Sequence, residues 1–246
     1  MRGPSRSGAG RAGVAVSAVA LLAVALLAGA GCGTKKVAVV RKSTPVTTAP
    51  STTTPSTTTP APPVTNPIIL SSSGNLETQT FDLIPGLAIF SLSYTGGDGF
   101  KAALLNQSGT VVSNLYNLTG NANGATALGV AAGTYSVSVT AGGQWTITIS
   151  EGVAVNPQFL PLNTSGTGPQ VTPFFQSSGA NATVTMTYSG TSPFIVTLLS
   201  AGGETVSVLA NETTGPFNGS ETVLLRQGTI YVIDVEGNGP WTLAVQ

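Results

Sequence analysis

From residue 68 onward the chain repeats itself. Tyr94-Thr95-Gly96, Phe100, Leu104-Leu105, Gly109, Gly120, Gly133-Thr134-Tyr135 and Trp145-Thr146-Ile147 are followed, in the same order, by Tyr188-Ser189-Gly190, Phe194, Leu198-Leu199, Gly203, Gly215, Gly228-Thr229 with Tyr231, and Trp241-Thr242-Leu243. The offset drifts only from 94 to 96 residues, so the two stretches differ by single-residue insertions in loops. Each copy has about 90 residues, within the usual range for one domain. The repeat therefore predicts two tandem domains, over 68–151 and 152–246, built on one plan.

Inside each copy the apolar residues recur with period two. Ala88 to Tyr94, Tyr135 to Val139 and Trp145 to Ile149 alternate apolar with small polar residues, and Val184 to Tyr188, Tyr231 to Val235 and Trp241 to Val245 answer them. Alternation of this kind turns one face of a strand to a core and the other to water. No helical period competes with it. Glycine-rich breaks fall between the runs, at Gly96-Gly97-Asp98-Gly99, Ala141-Gly142-Gly143 and Glu236-Gly237-Asn238-Gly239. Glycine supplies the positive φ of tight turns, so these breaks are expected to be hairpin turns. Many short strands with closely spaced turns predict an all-β fold, two tandem β-sandwiches.

The order of elements resembles the small jelly-roll-like modules at the ends of secreted bacterial proteins, including the pre-peptidase C-terminal type, in which a Gly-Thr-Tyr strand leads by a hairpin into a final strand. The stretches LANETTGPFNGSETV and GTIYVIDVEGNGPWTL of the second copy also resemble an uncharacterised repeat of secreted prokaryotic proteins. What the resemblance implies is a jelly-roll-like fold. Its motifs are structural and imply no activity.

The first 67 residues are of another kind. Arg2, Arg6 and Arg11, with no acid among them, precede an uncharged run over 12–31 rich in Ala, Val and Leu, the pattern of an export signal. Ala28-Gly29-Ala30-Gly31-Cys32 resembles the lipobox of bacterial lipoprotein signal peptides, with Gly29 where the family usually has a branched aliphatic residue. The resemblance implies a signal peptide over 1–31, cut before Cys32, and a mature protein held to the membrane by acyl chains, palmitate among them, on that cysteine. Two other readings of the run remain open: an uncleaved spanning helix, since roughly 20 apolar residues suffice to cross a bilayer, and an ordinary A-x-A cleavage site.

Cys32 is the chain's single cysteine, so no internal disulfide can use it. Lys35, Lys36, Arg41 and Lys42 follow it and would add electrostatic attraction to an anionic leaflet, about 1 kcal/mol each. Such a pair of signals makes stable attachment. From Ser43 to Pro67 the chain is almost entirely Ser, Thr, Pro and Ala. It has too little apolar surface to offset the entropy of ordering and is expected to be a disordered, extended linker biased to polyproline II. The segment 32–67 thus reads as anchor and stalk, and the expected place of the protein is the outward face of a bacterial membrane. Secreted and single-pass membrane forms are the alternatives.

Composition excludes much chemistry. The chain has no histidine, which removes Ser-His-Asp and Cys-His arrangements, HExxH sites and the commonest metal ligand. GxSxG is absent as well. After residue 66 the acids are Glu77, Asp82, Asp98, Glu151, Glu204, Glu212, Glu221, Asp234 and Glu236, against Lys101 and Arg226 alone, a formal net of −7. With two cations this region cannot neutralise a phosphate backbone, so nucleic acid is not expected as a partner. The acids are thinly spread for the paired carboxylates of a glycosidase.

The expectation is a protein that is not an enzyme and has no cofactor, with a structural or binding role at the cell envelope. Its partners are the membrane, through Cys32, and a cell-wall glycan or envelope protein. A glycan-directed protein is the alternative. Asp98, in its glycine turn, is a weak metal candidate with Ser192 as its counterpart, and a turn-forming Asp explains it as well. Trp145 and Trp241 hold the same strand position in both copies and are expected in the cores. Tyr116 and Phe217, in stretches that read as loops and without aromatic counterparts, are the candidate ligand contacts.

Overall fold

The computed structural model describes residues 66–152 and 156–246. The signal run, Cys32, the basic cluster and nearly all of the Ser/Thr/Pro-rich segment lie outside the described residues. What is described is all β, in nineteen strands.

In the first copy the strands are β1 (Ile68–Ser73), β2 (Leu76–Glu77), β3 (Phe81–Leu83), β4 (Gly86–Thr95), β5 (Phe100–Asn106), β6 (Val111–Leu118), β7 (Ala122–Val130), β8 (Gly133–Ala141) and β9 (Gln144–Glu151). One sheet runs β1-β9-β4-β7, and the other runs β2-β8-β5-β6 with β3 also on β8. In the second copy they are β10 (Gln158–Phe159), β11 (Leu162–Thr167), β12 (Gln170–Val171), β13 (Phe175–Gln176), β14 (Asn181–Tyr188), β15 (Phe194–Ser200), β16 (Thr205–Glu212), β17 (Phe217–Leu224), β18 (Ile230–Glu236) and β19 (Pro240–Val245). There the sheets are β11-β19-β14-β17 and β10-β13-β18-β15-β16, with β12 also on β18. Apart from the added β10, each copy has the same pairing. That strand order, split between two facing sheets, is a jelly roll.

The alternation read from the sequence places the cores. In β9, Trp145, Ile147 and Ile149 point inward while Thr146 and Thr148 do not, and β19 does the same with Trp241, Leu243 and Val245. Phe100 lies 5.0 Å from Tyr94 and 6.5 Å from Trp145, ring centre to ring centre. Phe194 stacks on Tyr188 at 4.5 Å. Both tryptophans are core residues, 2% and 3% exposed. Each Nε1–H donates at 2.9 Å to the carbonyl oxygen of a glycine before the second sheet begins, Gly74 in one copy and Gly168 in the other. Burying an indole requires a partner for its one donor, and the duplicated fold supplies the same one twice.

The glycine breaks are not hairpins. Gly96–Gly99 joins β4 to β5, Ala141–Gly143 joins β8 to β9, and Glu236–Gly239 joins β18 to β19, and in each case the two strands belong to opposite sheets. They are corners from one sheet to the other, which removes the hairpin turn expected around Asp98. It also replaces the hairpin that the family resemblance implied before the final strand. Glycine allows a sharp reversal but does not select the neighbour, and pairing is decided by which faces the flanking strands must bury. The long hairpins that do form are β5–β6 and β15–β16.

A smaller apolar cluster joins the copies. Leu87 and Ala127 of the first meet Leu199 and Val232 of the second, with Ile89, Val171 and Phe174 around them. Strand β7 is an edge of its sheet, and its outward N–H groups need acceptors. The second copy provides them: the Ala125 N–H donates to Pro169 O and the Ala127 N–H to Asp234 Oδ1, each at 3.0 Å. At the rim, Gly129 lies against Gly203, so closely that a Cβ on Gly129 would stand 1.9 Å from the Gly203 carbonyl oxygen. Gly203 itself has φ +83°. By sheet register, the residue equivalent to Gly129 is Leu224, 69% exposed, and the residue equivalent to Asp234 is Ser138. The copies diverge where they meet.

Candidate functional site

Three contiguous depressions run along β6 and over the junction of the copies. The first, about 360 Å³, lies on the outer face of β8, β5 and β6, with Lys101, Asn114, Asn117, Ser138 and Thr140 in its walls. The second, about 240 Å³, shares Asn114, Tyr116 and Asn117 with it and crosses to Pro169, Ser192, Pro193, Ile195, Glu236 and Asn238 of the second copy. The third, about 200 Å³, shares Leu118, Pro169 and Asn238 and continues to Asn121 and Asn123. Together they form one trench.

Its shape follows from β6. Against β5, Ala102 faces Tyr116 but Ala103 faces Asn114, and Leu104 faces Ser113 but Leu105 faces Val111, so Leu115 and Val112 are extra residues in two bulges. Strand β16 carries the same two bulges, with Leu209 and Val206 as the extra residues. A bulge shifts the alternation by one. Here it buries Leu115 and Tyr116 side by side while Asn114 and Asn117 face solvent.

Tyr116 is accordingly not a loop residue or a surface contact. It is 4% exposed, its ring lies 6.1 Å from that of Phe100 in an edge arrangement, and its hydroxyl donates to the Phe90 carbonyl oxygen. Its backbone helps line the trench while its side chain belongs to the core. The phenol is held well above its ordinary range by burial first and by the negative charge of Asp234 second. Phe217 is also a strand residue, the first of β17, half-buried against Phe194 at 5.7 Å. It plugs the end of the second sandwich and lies outside the trench.

Asp98 is exposed in the corner between β4 and β5, where its backbone oxygen accepts from the Tyr94 hydroxyl at 3.0 Å. In the second copy Tyr188 reaches Ser192 Oγ at 2.6 Å instead. Among the described residues no group of three or more His, Cys, Asp or Glu side chains is placed to hold a metal.

Sequence reasoning passed over the acids at the junction. Asp234, in β18, is 4% exposed. Besides the Ala127 N–H on Oδ1, its Oδ2 accepts from the Thr126 hydroxyl at 3.2 Å. Burial, and then the charge of Glu236, push its pKa up to about 8, against the two hydrogen bonds, which pull it down. Glu236, two residues on, stands in the trench and is raised by desolvation. Two acids with raised pKa in one place are a signature of functional sites, but Asp234 has both oxygens engaged by the first copy. Only Glu236 faces the trench. The other carboxylates that make contacts are structural: Glu151 accepts from the Ile84 N–H at 2.7 Å and Asp82 from the Thr134 hydroxyl at 2.6 Å.

The trench is therefore lined by amides rather than by reactive groups. The side chains of Asn114, Asn117 and Asn238 have no hydrogen-bond partner among the described residues, and Asn121 uses only Oδ1, which accepts from the Gly96 N–H at 2.8 Å. A carboxamide offers both donors and acceptors. For the positions on the first copy the one sequence signal is the density of asparagine between 114 and 123.

No family model matches the chain, and no curated protein does. Similar solved structures include the M60 catalytic domain with the CBM51-1 and CBM51-2 domains from Clostridium perfringens ZmpB, at 8% identity over 72% of this chain and 34% of that one, TM-score 0.28. A Cupin 2 conserved barrel domain protein from Leptotrichia buccalis overlaps at 12% identity over 74% of this chain and 96% of that one, TM-score 0.21. The chain spans about a third of the length of the first. Overlaps of that quality carry no argument about this protein.

Proposed function

We propose that this chain is a non-catalytic binding protein of the bacterial cell envelope, lipid-anchored through Cys32, with a Ser/Thr/Pro-rich stalk that carries a docked pair of jelly rolls outward. Export and anchoring rest on the basic N-terminus, the apolar run, the lipobox resemblance and the cations after Cys32. The kinship with secreted modules of the pre-peptidase C-terminal type belongs to the same reading.

The observation that carries the binding role is the trench: an open polar surface, built from both copies, in which the side-chain amides of Asn114, Asn117 and Asn238 are uncommitted. The same observation supports a non-catalytic role. With no histidine or thiol in the folded region, and with Asp234 occupied by the first copy, Glu236 has no partner for acid–base chemistry in the trench.

The test is retention on protease-treated bacterial cell walls. The full chain in detergent should be retained, and the double variant Asn117→Ala/Asn238→Ala should elute earlier. Equal retention of the two would remove the trench from the account, and hydrolysis of the wall by wild type would refute the non-catalytic role.

A further inference from the structure

We infer that the trench takes an uncharged, linear glycan that lies across both copies. This rests on the binding role proposed above and adds the ligand's chemistry. The first argument is the kind of groups present. Asn114, Asn117 and Asn238 present free carboxamides. Sugar hydroxyls are donors and acceptors at once, and an amide answers both. Between these groups the exposed Pro193 and the half-buried Ile195 present apolar surface, which suits the C–H faces of a pyranose ring.

The second argument is charge. Across the junction the trench contains one charged side chain, the acid Glu236, and no cation, while Lys101 stands at the far end on the first copy. Uronates, sulfated sugars and phosphate polymers would meet an acid without a compensating base there, so the site disfavours them.

The third argument is shape. Each depression is at or below the smaller end of closed ligand pockets, yet they are contiguous through shared residues. An open, segmented trench suits several units of a chain rather than one compact molecule. A peptide added to the free edge of β6 is the competing occupant. The two bulges of β6 disturb the regular ladder that an added strand requires, and the geometry favours the glycan.

The experiment measures binding of the full chain in detergent to linear neutral glucan and mannan oligosaccharides of two to eight units, with polygalacturonate and a sulfated glycan as comparators. Affinity should rise with length up to the filling of the trench. Asn117→Ala and Asn238→Ala should each lower it at least fivefold, and Thr222→Ala, on the outer face of β17, should leave it unchanged. All three positions are exposed, and unchanged tryptophan fluorescence verifies folding. If the chain is retained on cell walls but binds no neutral oligosaccharide, prefers the anionic polymers, or loses retention to competing peptides, the glycan inference is overturned while the binding role stands. If walls do not retain it at all, both fall.

Discussion

Replacing Asp234 by Asn should remove a pH dependence from folding. The side chain is 4% exposed, and its pKa is displaced from 3.8 to about 8, chiefly by burial. A folded-state pKa above the unfolded value means that the folded protein holds a proton the unfolded chain has released. The stabilising contribution is complete below about pH 4 and is lost as pH rises through about 8. One proton's difference gives a slope of up to about 1.4 kcal/mol per pH unit, and four units would total about 5 kcal/mol as a ceiling.

Asn keeps the geometry. Its Oδ1 still accepts from the Ala127 N–H, and its amide can donate to Thr126 Oγ1 where the protonated acid would. The assay is urea unfolding at pH 5, 6, 7 and 8 followed by fluorescence, with Trp145 and Trp241 reporting one copy each. For a slope of roughly 1 kcal/mol per unit and an m-value of about 2 kcal/mol/M, the wild-type midpoint should fall by about 0.5 M per pH unit relative to D234N. Glu236, also raised, titrates in both proteins, so the difference reports Asp234 together with its coupling to Glu236. Parallel profiles, or a wild type that gains stability on D234N as pH rises, would refute burial of an acid as the dominant effect at the junction.

Gly129→Ala should part the copies, because the new Cβ meets the backbone oxygen of Gly203 at 1.9 Å. A loss of about 1–3 kcal/mol in thermal or urea unfolding is expected, whereas Leu224→Ala at the equivalent, exposed position should change stability by less than about 0.5 kcal/mol. Tyr116→Phe should cost about 0.5–1.5 kcal/mol through the lost bond to Phe90 and leave cell-wall retention unchanged, since the phenol is turned to the core. Cys32→Ala should release the protein from membranes and abolish labelling by a fatty-acid probe, and a variant that stays membrane-bound would establish the uncleaved helix.

The misreadings have physical causes that particular residues display. In VVSNLYNL the alternation fails twice, at Val112 and Leu115, because each bulge inserts one residue against β5. Read without a partner strand, the segment looked like a loop and Tyr116 like a surface aromatic. Phe217 failed differently: its neighbour Phe194 is distant in sequence, and only pairing of β17 with β14 brings its ring into contact. The first-copy trench asparagines are legible only as a local excess of one residue type, since Asn114 and Asn238 line one depression only through the docking of two domains.

Much was determined before any tertiary contact is considered. The duplication, the two-residue period and the paired Trp, Tyr and Phe positions specify two like sandwiches and most of their core residues, because the inward face of a strand is a local property of its sequence. What the structure alone decided is relational. It set which sheet each strand joins after a glycine corner, and which member of each equivalent pair is covered, Asp234 rather than Ser138 and Gly129 rather than Leu224. A residue's burial at a junction depends on the surface brought against it, and that surface belongs to residues up to about a hundred positions away.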